Sequence, residues 1–411
     1  MKKYNTLDDF EFKDKTALLR VDFNLPLDKK TLEILDTTRI KLALPTIQEL
    51  HENGAKTVIL AHQGRQGSWD FINMKPHAHA LEKLLNIPVT FISDIYGKTA
   101  QDAIKTMQPG EIIFLDNVRK FSGETEKKTA EEHAQSDLVQ NLYPLADFYI
   151  NDAFAAAHRK QCSLVGFTAV MPSCAGRLLE KELTTLEKVI KNPDKPAIFL
   201  FGGAKYSDII ITIDRILSNK LADTILLTGL PANAFLKAQG YNLGNTNEQT
   251  LLTEGSEEQF KEIKKLYHKY KNKISLPTDF AIEKENTRKE ISIQELPTEF
   301  PLFDIGNNTI NNYKDLLKTA KTIFLSGPCG VFENPNFRQG TTEIFSYIAK
   351  LHVTTIVGGG HTVAAIEKLG LRDTIGHIST GGGSLEKFMM GEKLPVIEAL
   401  KKAYKQTVKC S

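Results

Sequence analysis

The sequence predicts an α/β protein made of two doubly wound, parallel-sheet (Rossmann-like) domains joined by a helix hinge. Short β-branched apolar runs alternate with segments of helical period along both halves of the chain, a pattern typical of a parallel sheet covered by helices on both faces. The apolar runs of the first half end in arginine, histidine and asparagine, whereas those of the second half end in glycine. We therefore expect two different ligand sites, because open α/β sheets bind ligands beyond the carboxyl ends of their strands.

Four apolar runs of the first half are predicted strands, and side chains that bind anions or hydroxyl groups follow each of them. Planar guanidinium groups make paired hydrogen bonds to carboxylate and phosphate, so several arginines at neighbouring strand ends predict a site for a small ligand carrying both groups. Arg39, at the start of a predicted helix, joins this set. The runs and the residues after them are Ala17–Val21 with Asp22 and Asn24, Val58–Leu60 with His62 and Arg65, Ile112–Leu115 with Asn117 and Arg119, and Phe148–Ile150 with His158 and Arg159.

A helix is predicted between the two halves. Leucine, valine and isoleucine recur at helical spacing from Leu178 to Ile190, and Asn192-Pro193 is expected to end the helix. The organisation expected from the sequence is a first domain over residues 1–172, an interdomain helix over 173–192, a second domain over 193–388 and a C-terminal segment over 389–411.

Glycine-rich turns follow the predicted strands of the second half. Glycine lets backbone amides approach phosphate oxygens, and the N-terminus of the next helix adds partial positive charge. No P-loop or dinucleotide-binding fingerprint occurs. Glu333 is a candidate for binding ribose hydroxyls. The strands and turns are Ala197–Phe201 with Gly202–Lys205, Thr322–Leu325 with Ser326–Pro328, and Thr354–Val357 with Gly358–Thr362, and a further glycine turn spans Gly381–Gly383.

Composition excludes several other classes of protein. The 52 basic side chains nearly balance the 50 acidic ones, so no overall positive field favours nucleic acid. Four cysteines are too few to crosslink 411 residues, and they form no metal-type pair. His77 with His79, and His158 with Cys162, have partial metal-ligand spacing but too few further ligands, which favours a structural role for them. No apolar run is long enough to cross a membrane. We expect a cytoplasmic protein that binds neither membrane nor nucleic acid, with a monomer as the first expectation and a homodimer left open.

Taken together, these segments resemble the phosphoglycerate kinase family, in order and almost continuously from Arg20 to Leu400. Gly-Gly-His-Thr and Asn-Asp-Ala-Phe-Ala-Ala-Ala-His-Arg resemble the archaeal branch. The matching segments are Arg20–Asn24, Thr38–Ile40, His62–Arg65, Asp116–Arg119, Asn151–Phe154, His158–Arg159, Gly202–Lys205, Gly327–Glu333, Gly358–Thr362 and Ser379–Gly383.

The resemblance implies reversible phosphoryl transfer from 1,3-bisphosphoglycerate to ADP, giving 3-phosphoglycerate and ATP in glycolysis and gluconeogenesis. It implies 3-phosphoglycerate on the first domain, Mg²⁺ with the nucleotide on the second, hinge closure between them, and packing of the C-terminal segment on the first domain. By matching position, the glycerate ligand is expected on Asp22, Phe23, Asn24, Arg39, His62, Gln63, Gly64, Arg65, Arg119 and Arg159. The nucleotide is expected on Gly203, Ala204, Lys205, Gly327, Pro328, Glu333, Gly359, Gly360, His361 and Thr362. Catalysis is expected from Arg39, Lys205, Gly359 and Gly360, with charge stabilisation and no general base.

Two departures from the family pattern bear on function. Ile209 stands where many members have a second lysine, and His361 stands where an aspartate usually helps to organise magnesium. Imidazole is a poor ligand for a hard cation, so we expect Mg²⁺ to be held mainly by nucleotide phosphates and to have no metal site of its own. Two alternatives follow: a binding protein for nucleotide and phosphoglycerate that has lost turnover, and an acyl-phosphate kinase for another small acid.

Overall fold

The chain forms two compact bodies. The computed structural model describes residues 3–191 and 193–410. The first body contains the chain up to Thr184 and again from Glu392 onward, and the second body is Thr185–Gly391. The segment limits at residues 172, 192 and 388, and the domain roles attached to them, stay predictions.

The first body is built on a seven-stranded sheet in which every pair of neighbouring strands is parallel. The order across the sheet is β1-β7-β6-β2-β3-β5-β4. Its strands are β1 (Asn5–Thr6), β2 (Thr16–Val21), β3 (Lys56–Leu60), β4 (Val89–Ile92), β5 (Ile112–Leu115), β6 (Phe148–Asp152) and β7 (Ser173–Ala175).

Helices cover both faces of this sheet. Along β2, Leu19 packs into one apolar core and Leu18 into another. This is why the strand reads as a continuous apolar run instead of alternating with polar residues. The helices of the body, apart from the one that leaves it and the last one of the chain, are α1 (Thr38–Glu52), α2 (Lys75–Leu85), α3 (Lys98–Thr106), α4 (Ala130–Ala134), α5 (Asp137–Leu142) and α6 (Cys162–Val165).

The helix α7 (Arg177–Lys191) crosses the division between the two bodies. Its first turn is fixed to the first body, where Asp152 accepts a hydrogen bond from the Leu179 amide at 2.9 Å. The Thr46 hydroxyl oxygen accepts one from the Arg177 amide at 2.8 Å. Asn192, which the sequence predicts as the end of this helix, lies outside the described residues.

The second body contains a six-stranded parallel sheet of order β10-β9-β8-β14-β15-β16. Its strands are β8 (Ala197–Phe201), β9 (Thr224–Leu227), β10 (Ile274–Ser275), β14 (Thr322–Ser326), β15 (Thr354–Gly358) and β16 (His377–Ile378). Its helices are α8 (Ser207–Ser218), α9 (Gly229–Ala238), α10 (Asn245–Glu254), α11 (Glu257–Tyr270), α12 (Asn307–Leu317), α13 (Gln339–Ala349), α14 (Gly360–Lys368) and α15 (Gly382–Met389). Two separate parallel sheets with helices between their strands confirm the predicted fold class.

One element of the second body was absent from the sequence expectation. A three-stranded antiparallel sheet of order β12-β11-β13 is formed by β11 (Asp279–Lys284), β12 (Thr287–Ser292) and β13 (Leu302–Ile305). The amide of Val331 donates to the Phe303 carbonyl at 2.8 Å. The small sheet therefore supports the loop that carries Glu333.

The C-terminal helix α16 (Pro395–Cys410) belongs to the first body. Val396 and Leu400 are completely buried. The Val396 amide donates to the Ala157 carbonyl at 3.2 Å, and Lys402 forms an ion pair with Glu131. Because Ala157 immediately precedes His158 and Arg159, α16 supports the loop that carries these two side chains.

Candidate active site

The polar strand ends of the first body meet where the direction of chain winding changes. From β2 the chain moves to β3 and then to the far edge, and it returns as β6 on the other side of β2. This is the topological switch point, where open α/β sheets bind ligands. Asp22 and Arg159 follow the two strands that flank it, β2 and β6, and His62 follows the next strand, β3.

Three of the predicted arginines line one cavity there. Arg65, Arg119 and Arg159 surround a volume of about 560 Å³. Burial, followed by repulsion from Arg159 and Arg20, lowers the pKa of Arg119 to about 10. Its Nε atom is buried and has no hydrogen-bond partner in the described part of the chain. An anion in the cavity would relieve this repulsion.

Arg39 is positioned by Asp22. Its Nη1 donates to the Asp22 carboxylate at 2.6 Å, and the Arg39 side chain keeps 36% of its surface exposed. Burial opposes ionisation of Asp22, but the charges of Arg39 and Arg20 and the amide of Asn24 outweigh it and lower the pKa of Asp22 to about 2. Asn24 in turn accepts from the Gly64 amide at 2.9 Å. The ion pair thus fixes one end of the Arg39 guanidinium, and the other nitrogen atoms remain available to a ligand.

His62 is a neutral side chain with a defined tautomer. Burial lowers its pKa well below the usual range. Arg20 Nη2 lies 3.0 Å from His62 Nδ1, and an arginine can only donate. Nδ1 is therefore the acceptor, so Nε2 carries the proton and is the ring nitrogen that can donate.

Two side chains expected at the glycerate site point elsewhere. Phe23 is fully buried against Phe114, with ring centroids 6.0 Å apart. The Gln63 amide is buried, accepts from the Leu25 amide at 2.8 Å and donates to the Leu25 carbonyl at 3.1 Å. At these two positions only backbone atoms remain for a ligand.

Other residues of this site were missed by the sequence analysis. The cavity is also lined by side chains that follow Arg65, Arg119 and Arg159 by one to six positions in the same loops, so extending each motif to its whole loop would have included them. They are Gln66, Phe121, Ser122, Thr125 and Gln161.

The glycine turns of the second body also lie at a switch point, between β8 and β14. The Gly203 amide donates to the Pro328 carbonyl at 2.8 Å, and the Leu230 amide donates to the Gly203 carbonyl at 3.0 Å. The Gly327 amide donates to the Thr362 hydroxyl oxygen at 2.7 Å. These contacts hold the turns after the four strands β8, β9, β14 and β15 together.

Backbone contact between two of these turns requires glycine at 327. Its φ is +91°, and a Cβ atom would lie 2.1 Å from the Gly202 carbonyl oxygen. We expect Gly327→Ala to lower the free energy of unfolding by about 2–4 kcal/mol, because a left-handed conformation and a steric clash add. Urea denaturation would measure it. Gly382→Ala is the matched control, since nothing lies within 4 Å of the added Cβ. An equal loss in both variants would contradict the assignment.

A second cavity of about 300 Å³ adjoins these turns. Five of the predicted nucleotide residues line it, together with apolar residues of α9 and of the segment before β13. Lys205 directly follows the cavity residue Ala204 in the chain, is exposed and precedes α8. Gly359 is the N-cap of α14, and Gly360 is the first residue of that helix. The five predicted residues in the lining are Gly203, Ala204, Pro328, Glu333 and His361.

The donor set near this cavity is poor for a resident metal. His361 Nδ1 lies 3.9 Å from Glu333 Oε1, and both side chains are exposed. No group of three or more His, Cys, Asp or Glu side chains that could hold a metal exists within residues 3–191 and 193–410. A divalent cation here would have to arrive with its own oxygen ligands, as it does in a metal–nucleotide complex.

Comparison with known proteins identifies the family. The family model described as phosphoglycerate kinase matches residues 7–392. The chain belongs to the phosphoglycerate kinase family. The phosphoglycerate kinase of Methanobacterium bryantii is 45% identical over 397 residues, which cover 97% of each chain. That of Methanothermus fervidus is 44% identical over 409 residues and the full length of both. The crystal structure of phosphoglycerate kinase from Pyrococcus horikoshii superposes with a TM-score of 0.89 at 39% identity, covering 97% of this chain and 99% of that one.

Family membership confirms the resemblance, including its archaeal character, and with it the predicted enzyme class and glycolytic function. The chain is a kinase that transfers phosphate to a carboxyl group. The two alternatives, a binding protein without turnover and a kinase for another small acid, are not favoured. No described helix is both long and apolar enough to span a membrane.

Proposed function

We propose that the chain interconverts 1,3-bisphosphoglycerate plus ADP and 3-phosphoglycerate plus ATP with the site residues described above. The observation that carries this assignment is the arginine cluster of the first body, where Arg65, Arg119 and Arg159 converge on one cavity and burial, with repulsion from Arg159, lowers the pKa of Arg119. Such a cluster suits the phosphate of the glycerate ligand. Asn24, His62 and Asp22 would then meet its hydroxyl and carboxylate groups.

The nucleotide would occupy the cavity of the second body. Its phosphates would be held by the amides of Gly359 and Gly360 and by the charge of Lys205, Gly203 would line the cavity beside them, and Glu333 would reach the ribose. The α14 N-terminus adds favourable partial charge for an anion. Gly327, Pro328 and Thr362 would shape these turns from behind.

Charge stabilisation would carry the reaction. The nucleophile is a carboxylate or a diphosphate oxygen, which is already ionised at neutral pH, so no general base is needed. Arg39 would neutralise the negative charge that develops on the moving phosphoryl group, and Lys205 would do so from the nucleotide side. Transfer also needs the two ligands to meet, for which the family resemblance implies closure of the two bodies.

Magnesium would enter as part of the nucleotide substrate. Phosphate oxygens and water satisfy the preference of Mg²⁺ for hard oxygen ligands, and His361 would contribute nothing to its coordination. We further propose a cytoplasmic location, which the buried free thiols of Cys162, Cys174 and Cys329 support.

The test is the initial rate of ADP formation from Mg-ATP and 3-phosphoglycerate, with a coupling enzyme that consumes the acyl phosphate. We expect saturation with both substrates. A folded sample that shows no turnover with either ATP or GTP over a range of temperatures would contradict the proposal.

A further inference from the structure

Asn233 is a polar residue in the lining of the second body's cavity. Asn233 lies on α9, is only 4% exposed and lines the cavity. Its amide forms no hydrogen bond with any residue among 3–191 and 193–410, and it is not one of the polar groups sealed off from solvent. The amide is therefore open to the cavity and to whatever occupies it.

Two other polar side chains that line the cavity, those of Asn247 and Thr250, are already engaged. The Asn247 amide donates to the carbonyls of Leu243 and Phe300, at 2.9 and 3.1 Å, and accepts from the Leu302 amide at 2.9 Å. The Thr250 hydroxyl donates to the Thr246 carbonyl of its own helix at 2.9 Å. Asn233 thus differs from its neighbours in having a free donor and a free acceptor.

The surroundings of Asn233 suit a flat ring. Leu230, one helical turn earlier on α9, lies on the same helix face and lines the same cavity, as do Leu302, Phe303 and Val331. Glycine turns and Glu333, which suit phosphates and ribose, form other parts of the lining. A ring packed against Leu230 could therefore meet the free amide of Asn233 at its edge.

We infer that Asn233 recognises the base of the nucleotide by pairing with the 6-position edge of a purine. The inference rests on the proposed function and deepens it. An amide presents one donor and one acceptor side by side, which matches the amino group and adjacent ring nitrogen of adenine. Turned over, the same amide matches the oxygen and ring N–H of guanine or hypoxanthine. A purine with only hydrogen at position 6 leaves half of the amide unpaired, so such a base is disfavoured.

The decisive experiment compares two nucleotides that differ only at position 6. Calorimetric titration of the full chain with Mg-ADP and with the Mg-diphosphate of unsubstituted purine riboside gives the two dissociation constants. We expect ADP to bind about tenfold more tightly, which corresponds to about 1.4 kcal/mol. Asn233→Leu and Asn233→Ala are expected to bring the ratio of the two constants close to one.

Thr250→Val is the matched control, because Thr250 lines the same cavity but its hydroxyl already donates within α10. It is expected to keep the tenfold ratio, whatever it does to the absolute affinities. The initial rates with Mg-ATP and the corresponding purine riboside triphosphate should show the same pattern in kcat/KM.

Two outcomes would overturn the inference: a wild-type ratio within about twofold, which needs no variant to be measured, or a full ratio retained in both Asn233 variants. Neither outcome would touch the proposed function, since ADP would still bind and react. Conversely, a tenfold ratio of the two dissociation constants without any phosphoryl transfer to 3-phosphoglycerate would refute the proposed function. It would still support recognition of the base by Asn233.

Discussion

Replacing Arg39 by alanine is expected to lower kcat by roughly 10³-fold or more while leaving the fold intact. The side chain is partly exposed, so its loss leaves no buried cavity, and Asp22 keeps the charge of Arg20 and the amide of Asn24. Its charge would act mainly on the transferring phosphoryl group, where negative charge is redistributed in the transition state. We therefore expect KM for 3-phosphoglycerate to change much less than kcat. Steady-state rates with both substrates varied would separate the two.

Lys41→Ala is the matched control for Arg39→Ala. Lys41 lies on the same helix two residues later, is exposed, and its replacement removes the same unit of positive charge. Its kcat should stay within about twofold of wild type, since a solvent-screened charge adds little. If Arg39→Ala kept kcat within about tenfold of wild type, the role assigned to Arg39 would be wrong.

The strand ends were predictable because the relevant information is local. The run Ala197–Phe201 is β8 in the structure with the same limits, and the predicted run Ala17–Val21 is one residue shorter than β2. An apolar run between helical segments specifies a buried parallel strand, and the residues after it must lie at the sheet edge. The positions of Arg65 and Gly203 follow from the same reasoning.

The antiparallel sheet of the second body was not predictable in this way. Its β11–β12 hairpin turns at Glu285 and Asn286, both with positive φ, of 54° and 57°. Such turns are usually recognised by Asn-Gly or Asp-Gly, and Glu-Asn carries no comparable pattern. No residue of the strand β12 is buried, and its sequence contains one apolar residue, Ile291, which is too few to indicate a strand.

Side-chain direction is the other information that a strand-end pattern lacks. Phe23 and Asn24 are neighbours in sequence, yet Phe23 is buried in the core whereas Asn24 lies at the surface of the site. Asn233 belongs to no sequence motif, and a role for an asparagine within a helical segment can be inferred only once the cavity beside it is known. Contacts between distant segments decide both cases.

The contact between Arg20 and Glu124 is a further case that the sequence pattern could not predict. The second prediction with a large expected effect concerns these two residues. Both are buried, at 0% and 1% exposed. Arg20 Nε donates to the Ser163 hydroxyl oxygen at 2.8 Å, and this hydroxyl donates to Glu124 at 2.6 Å. Burial raises the pKa of Glu124 and the charge of Arg20 lowers it. Residues more than a hundred positions apart thus form one buried network that ends on His62.

Arg20→Met is expected to lower the free energy of unfolding by about 3–5 kcal/mol, because it leaves Glu124 buried without its countercharge. The pKa of Glu124 should then rise further above the usual range. A carboxyl whose folded-state pKa is raised is tolerated best when protonated, so its penalty is small at low pH and grows as pH rises through that pKa. The loss measured by urea denaturation should therefore be smaller at mildly acidic than at mildly alkaline pH.

Glu124→Gln in the Arg20→Met background supplies the control, since it removes the buried acid itself. The double variant should be more stable than the sum of the two single losses predicts, by more than about 1 kcal/mol, and its loss should no longer depend on pH. Additive losses would mean that Arg20 and Glu124 do not act together.

A separate readout tests the link from Arg20 to the anion site. In the wild type, nitrogen NMR of labelled histidine should show His62 as a single neutral tautomer protonated at Nε2. Without the Arg20 donor, Nδ1 is free to carry the proton, and a mixture of tautomers is expected in Arg20→Met even where the variant stays folded. A single unchanged tautomer would show that Arg20 supports the core of the first body without orienting the donor that His62 presents.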